Sequence, residues 1–94
     1  MKYISFMEYC LEDVDKILEK EKPYMEETRK FPEKYAKSLF PEHGMSGEAK
    51  AFEVIEATPE QLINEVIFWM PEVKFKFVPI FESSKVTEAY LKSK

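Results

Sequence analysis

The 94-residue chain has one cysteine, one histidine, one arginine, one tryptophan and two glycines, and each scarcity removes a class of function. With Cys10 alone there is no intrachain disulfide and no paired thiol for redox or zinc chemistry, which fits a reducing, cytoplasmic setting. With Arg29 alone, a guanidinium clamp for phosphate or carboxylate has no second arm. The two glycines, Gly44 and Gly47, build no phosphate-cradling loop, and neither a serine–histidine–acid set nor an EF-hand spacing occurs. No window approaches eighteen apolar residues, so no membrane-spanning helix is expected. The opening Met1–Glu8 lacks the apolar core and cleavage site of a signal peptide.

Basic clusters are missing too. Net charge is -4 with a pI near 5.1, and no loop carries a run of Lys or Arg. Strands rich in exposed rings can stack bases, but a nucleic-acid surface also needs a cationic surround, so no nucleic-acid partner is expected.

What the chain does have is apolar and aromatic material: 45% hydrophobic residues, with eight Phe and five Tyr. The length makes one domain, residues 1–94, whose thin core gains from large rings and from oligomerisation.

Residues 2–9 alternate as a strand with apolar groups on both faces: Ile4 and Phe6 on one, Tyr3, Met7 and Tyr9 on the other. From Leu11 the period becomes helical, through Val14, Ile17, Leu18, Glu21, Tyr24, Met25 and Thr28. Pro23 predicts a kink or an early end with a second short helical piece beyond it. Pro32–Tyr35 suits a helical turn and Ser38–His43 a short strand, which Pro41 assigns to a sheet edge. Gly44-Met45-Ser46-Gly47 reads as a hairpin connection.

Residues 49–57 form a strand with Phe52 and Val54 on one face and Ala51, Glu53 and Ile55 on the other. Thr58-Pro59-Glu60-Gln61 is a capping box, and it opens a helix expected to bury Leu62, Ile63, Val66, Ile67 and Met70 before Pro71 closes it. A strand over 73–81 and a short helix around 85–91 complete the chain.

Strand, helix, strand, strand, helix, strand predicts an α+β fold. Its expected form is ferredoxin-like βαββαβ: a four-stranded antiparallel sheet with two helices on one face and the first and third strands central. Two helices cover only one face. Some of Tyr3, Met7, Tyr9, Phe75 and Phe77 or their opposite-facing neighbours then lie bare, and a second copy closing face to face is the expected cover. A deep apolar groove on a monomer is the other reading.

Three residues are candidates for chemistry. His43, the sole imidazole, is a candidate acid/base or axial ligand, against the plain reading of a loop histidine without companions at metal-ligand spacing. Glu8 and Glu53 lie within apolar strands expected to be neighbours, where two carboxylates sharing a pocket would push one pKa upward. The plainer account has them at strand ends or paired with Lys50, Lys74 or Lys76. Cys10, just before the first helix, is either an activated thiol or a small filler.

Met1-Lys2-Tyr3-Ile4-Ser5-Phe6, Tyr9-Cys10-Leu11-Glu12-Asp13, Leu39-Phe40-Pro41-Glu42-His43, Lys50–Glu56 and Phe77–Glu82, in that order, resemble stretches of a family of small, functionally uncharacterised prokaryotic proteins. That family belongs to the dimeric α/β-barrel group, and the likeness spans nearly the whole chain. The resemblance implies a ferredoxin-like protomer whose sheet packs on its twin. The wider group includes small monooxygenases, haem-degrading proteins and decarboxylating or isomerising enzymes, and fold alone does not transfer any of these activities. The resembling proteins tend to have histidine at the position of His43. Pro23 departs from their uninterrupted first helix, and no cofactor signature transfers.

The expectation is thus a homodimer whose reaction the sequence leaves open. The alternative is a small cofactor-free enzyme of the monooxygenase or isomerase type, or a binding protein for a small apolar or aromatic ligand, with His43 as acid/base and Glu53 or Glu8 assisting.

Overall fold

The computed structural model describes residues 1–94. The chain runs β1 (Lys2–Tyr9), a 3-10 turn (Leu11–Asp13), α1 (Val14–Lys30), a second 3-10 turn (Pro32–Lys34), β2 (Lys37–Gly44), β3 (Lys50–Glu56), α2 (Pro59–Trp69), β4 (Val73–Ile80) and α3 (Ser83–Lys92). The fold is α+β: one four-stranded antiparallel sheet, ordered β2-β3-β1-β4, and three helices. β1 and β3 are central, as expected.

Register fixes the faces. Ser5 pairs with Glu53 and Phe77, Met7 with Ala51 and Phe75, and Tyr3 with Ile55 and Pro79. Side chains alternate along a strand, so Tyr3, Ser5, Met7, Tyr9, Ala51, Glu53, Ile55, Phe75 and Phe77 share the side on which α1 and α2 lie. The face left without a helix belongs to their opposite-facing neighbours: Ile4, Phe6, Phe52, Val54, Val78 and Ile80.

β2 is the edge strand, and its pairing with β3 shifts register twice, between Ser38 and Phe40 and again between Phe40 and His43. Pro41 falls within the second shift, where an edge tolerates its missing donor. In a regular strand residues three apart point to opposite faces. Here the irregularity lets Phe40 and His43 stack on each other, centroids 4.7 Å apart, beside Phe52 on the helix-free face. The same shifts bring Ser38 and Glu42 to the helix side. Gly47, with φ of 79°, supplies the left-handed residue of the β2–β3 connection.

α1 corrects the expected early end: it runs as one helix through Pro23 to Lys30. The proline is exposed, and the helix is tied down on either side of it. Lys20 Nζ, in the turn before, donates to the carbonyls of Met70 (2.9 Å) and Phe68 (3.3 Å) and pairs with Glu72 at 2.6 Å. Tyr24, in the turn after, packs against Tyr35, Phe68 and Trp69 with centroids 5.0–5.4 Å apart. Asp15 near its start and Arg29 and Lys30 at its end suit the helix dipole.

α2 begins in the expected capping box. Thr58 Oγ1 accepts from the Gln61 amide at 3.2 Å, and the Gln61 side chain accepts from the Thr58 amide at 2.9 Å. Its buried face is rotated from the expected one. Leu62 and Val66 are half-buried and Glu65 is buried, whereas Ile63, Ile67 and Met70 are exposed. Phe68 and Trp69 dictate this orientation, since both rings close on Tyr24 and carry Glu65 inward with them.

The core is thin. Only Ser5, Tyr35, Ala51, Ile55, Ala57 and Glu65 are buried, and every residue of α3 is exposed. The surface of 7144 Å² exceeds by about 1,400 Å² the roughly 5,700 Å² of a compact monomer of this mass. The radius of gyration, 15.5 Å, likewise exceeds the roughly 12 Å of a compact domain of this length.

Candidate functional site

Between the helices and the sheet lies a cleft of about 440 Å³, within the range of small-molecule sites. Six elements, the four strands with α1 and α2, build it in layers. Its floor is buried: Ser5 of β1, Ala51 and Ile55 of β3, and Glu65 of α2. Aromatic walls come from Tyr24 of α1, Trp69 of α2, and Phe75 and Phe77 of β4, the last two stacked at 5.5 Å. The mouth carries Glu21, Met25 and Thr28 of α1 and Glu42 of β2.

Period and propensity explain the placement. In α1, Ile17, Glu21, Tyr24 and Thr28 recur at helical spacing and meet the sheet. In α2, Glu65 and Trp69 are one turn apart on the inward face. On the sheet, alternation brings Glu53 to the cleft with Ala51 and Ile55 on either side of it.

Glu65 is the best-determined polar group here. Only 7% exposed, it accepts from the Tyr24 hydroxyl at 2.5 Å and from the Ala36 amide at 3.3 Å through the same Oε1. Burial raises its pKa, and the hydroxyl and amide donors partly offset that rise. Glu53 is also raised by burial, with the Ser38 side chain acting in the other direction. Glu42 rises through burial, then through the charges of Glu53 and Glu21. Tyr24 is held well above the ordinary phenol range by burial and by Glu65. Four carboxyl groups therefore address one apolar cleft, and no Lys, Arg or His lines it.

The candidates named from sequence are dispersed. Glu53 is in the cleft. Glu8 is on the opposite face of the sheet, level with Lys50 on β3 and Lys74 on β4, so it shares no pocket with Glu53. The pairing between them is corrected by register: Glu8 lies three positions along β1 from Ser5, the partner of Glu53, and an odd offset reverses the face. His43 is exposed on the helix-free face, its Nδ1 donating to the Pro41 carbonyl at 2.6 Å, and it does not line the cleft. Cys10 is exposed at the end of β1 and heads the first 3-10 turn.

Glu65, Glu42 and Tyr24 were not singled out by sequence. The one available signal was a lone carboxylate among Leu62, Ile63, Val66, Ile67 and Phe68. Glu42 had none, because its face depends on the irregular register of β2. No set of His, Cys, Asp and Glu side chains is gathered closely enough to ligate a metal, and no helix is long and apolar enough to cross a membrane. The chain matches no protein-family model, no functionally curated protein and no solved structure.

Proposed function

We propose that the protein is a homodimeric small-molecule-binding protein that holds an aromatic or apolar ligand in the cleft between α1, α2 and the sheet. The observation that carries this reading is the cleft itself: about 440 Å³, walled by aromatic rings and furnished with a few convergent polar groups. Within the proposal the protomer is ferredoxin-like, as strand order β2-β3-β1-β4 with α1 and α2 on one face supports. Two protomers join through the helix-free face in the manner of a dimeric α/β barrel. The exposed Phe40 and the half-buried Ile4, Phe6, Phe52, Val54, Val78 and Ile80 of that face support this assembly.

A second reading, a cofactor-free enzyme, is favoured by Glu53. Its carboxyl is half-buried in the cleft with a raised pKa, as a proton-transfer group requires. In this reading Glu53 takes the acid/base role first given to His43.

The test uses 2-naphthylmethanol, observed through the indole N–H resonance of Trp69, the only tryptophan and a wall of the cleft. Saturable shifts are expected in the wild type and in His43→Ala, and their loss in Ala51→Phe, which fills the floor. Shifts that survive Ala51→Phe, or no shift in the wild type for 2-naphthylmethanol or for its methylammonium and carboxylate analogues, would sink the binding reading.

A further inference from the structure

The charge of the cleft is one-sided. Glu21 and Glu42 stand at its mouth, Glu53 on its wall and Glu65 at its floor, on four different elements, and no cationic side chain answers them from any surrounding strand or helix. Lys20, at the α1–α2 junction, is already engaged by Glu72 and two carbonyls. The acidic groups also act on one another: the charge of Glu53 bears on Glu42, Glu65 and Tyr24, and that of Glu21 on Glu42. A ligand that brought positive charge would relieve this repulsion, and one that brought negative charge would add to it.

The geometry is unlike a metal site. The carboxyl groups are distributed from mouth to floor, and no three of the potential ligands converge as a metal requires. The walls instead present aromatic faces: Tyr24, Trp69, Phe75 and Phe77. Carboxylates spread along an aromatic cleft match an extended organic cation, whose charge gains from both carboxylates and ring faces while its body displaces water from apolar walls.

We propose that the ligand of the cleft is an organic cation: an amine or quaternary ammonium group on an aromatic or aliphatic body. This rests on the cleft being a binding site, and it adds the sign of the ligand's charge. Glu53 is the principal charge partner on the wall, because Glu65 is already committed to Tyr24 and Ala36, with Glu42 adding attraction at the mouth.

Three probes of one ring system separate the two propositions: 2-naphthylmethylammonium, 2-naphthylmethanol and 2-naphthoate, each titrated at neutral pH against the Trp69 indole resonance. The ammonium is expected to bind about tenfold or more tightly than the alcohol, as for one charge-assisted contact, and the naphthoate more weakly than either. Glu53→Gln and Glu42→Gln are each expected to shrink the ratio of ammonium to alcohol affinity, with alcohol binding still detectable. The alcohol thereby serves as the check that each variant retains its cleft. Equal binding of ammonium and alcohol, or preference for naphthoate, overturns the cation assignment and leaves the binding site standing. Failure of all three to bind removes the site and the assignment together.

Discussion

The Tyr24 hydroxyl donates to Oε1 of Glu65 across 2.5 Å, fastening α1 to α2 at the floor of the cleft. The ring of Tyr24 also packs on Tyr35, Phe68 and Trp69, so one side chain supplies both the apolar seam between the helices and its buried polar contact. Removing only the hydroxyl separates the two contributions. Tyr24→Phe leaves Glu65 with the Ala36 amide as its remaining donor, and loss of a hydrogen bond to a buried carboxyl costs about 1–3 kcal/mol. The expected result is a lower urea midpoint with an unchanged denaturant slope. Because the hydroxyl holds the Glu65 pKa down, the carbon chemical shift of its carboxyl should titrate higher in the variant.

Stability should fall as pH rises from mildly acidic to neutral. Glu42, Glu53 and Glu65 all have folded-state pKa values above the ordinary 4.5, in each case chiefly through burial. Raised carboxyls keep protons that the unfolded chain releases, so their contribution is complete below the unfolded value and is lost as pH climbs through the folded ones. The groups facing them, Glu21 and Tyr24, add no compensating positive charge. Urea midpoints are expected to be higher at about pH 5 than at about pH 7, and Glu53→Gln should flatten the difference. A midpoint that climbs steadily over that range would contradict the burial of these groups.

Much of the fold was legible because it rests on local signals. Alternation placed β1, β3 and β4, and the Thr58–Gln61 box located the start of α2 to the residue. Two things were not legible, and both concern rotation about an axis. Which face of α2 turns inward depends on the meeting of Phe68 and Trp69 with Tyr24, whose position lies 44 and 45 residues earlier in the chain. The hydropathy of Ile63 and Ile67 points the other way. Which face of β2 carries Glu42 depends on two register shifts that no propensity encodes. Glu42 and Glu65 were therefore hidden, whereas alternation marked Glu53; His43 stood out by rarity and by the resemblance, and Glu8 by strand position.

The capping box should have a measurable stability of its own. Thr58→Ala removes the acceptor for the Gln61 amide and is expected to cost about 1 kcal/mol in urea denaturation. Gln61 does more, since its Nε2 also donates to the Glu33 carbonyl at 2.9 Å and binds the second 3-10 turn to α2. Gln61→Ala should accordingly destabilise at least as much as Thr58→Ala, and a smaller effect would show that the Glu33 contact contributes nothing.

Lys20 gathers the end of α2 and the start of β4 onto α1. Its ammonium meets two carbonyls of the terminal turn of α2 and the largely buried carboxylate of Glu72. Lys20→Met preserves the aliphatic stem and abolishes the charge, leaving Glu72 without its cation. A loss of about 1.5–3 kcal/mol is expected, in the range for hydrogen bonds to charged groups. The double variant Lys20→Met/Glu72→Gln should recover part of it, because the stranded charge is then gone.

The proposed dimer places its interface on the face bearing Ile4, Phe6, Phe40, Phe52, Val54, Val78 and Ile80. The excess surface of about 1,400 Å² is shared with α3, every residue of which is exposed, and a standard interface takes roughly 800 Å² from each partner. Phe6 is central: it lies on β1, level with Phe52 on β3 and Lys76 on β4. Phe6→Asp sets a carboxylate on this face between the Ile4–Val54–Val78 row and the charged Glu8–Lys50–Lys74 row, and should convert the protein to monomers in light scattering. Leu11→Asp, at a residue 75% exposed in the first 3-10 turn, should leave the mass unchanged. A wild type that runs as a monomer ends the barrel proposal. A Phe6→Asp variant that remains dimeric moves the interface elsewhere, and the exposed ridge of Ile63, Ile67 and Met70 is then the surface to mutate, since it offers apolar side chains on an outward face of α2.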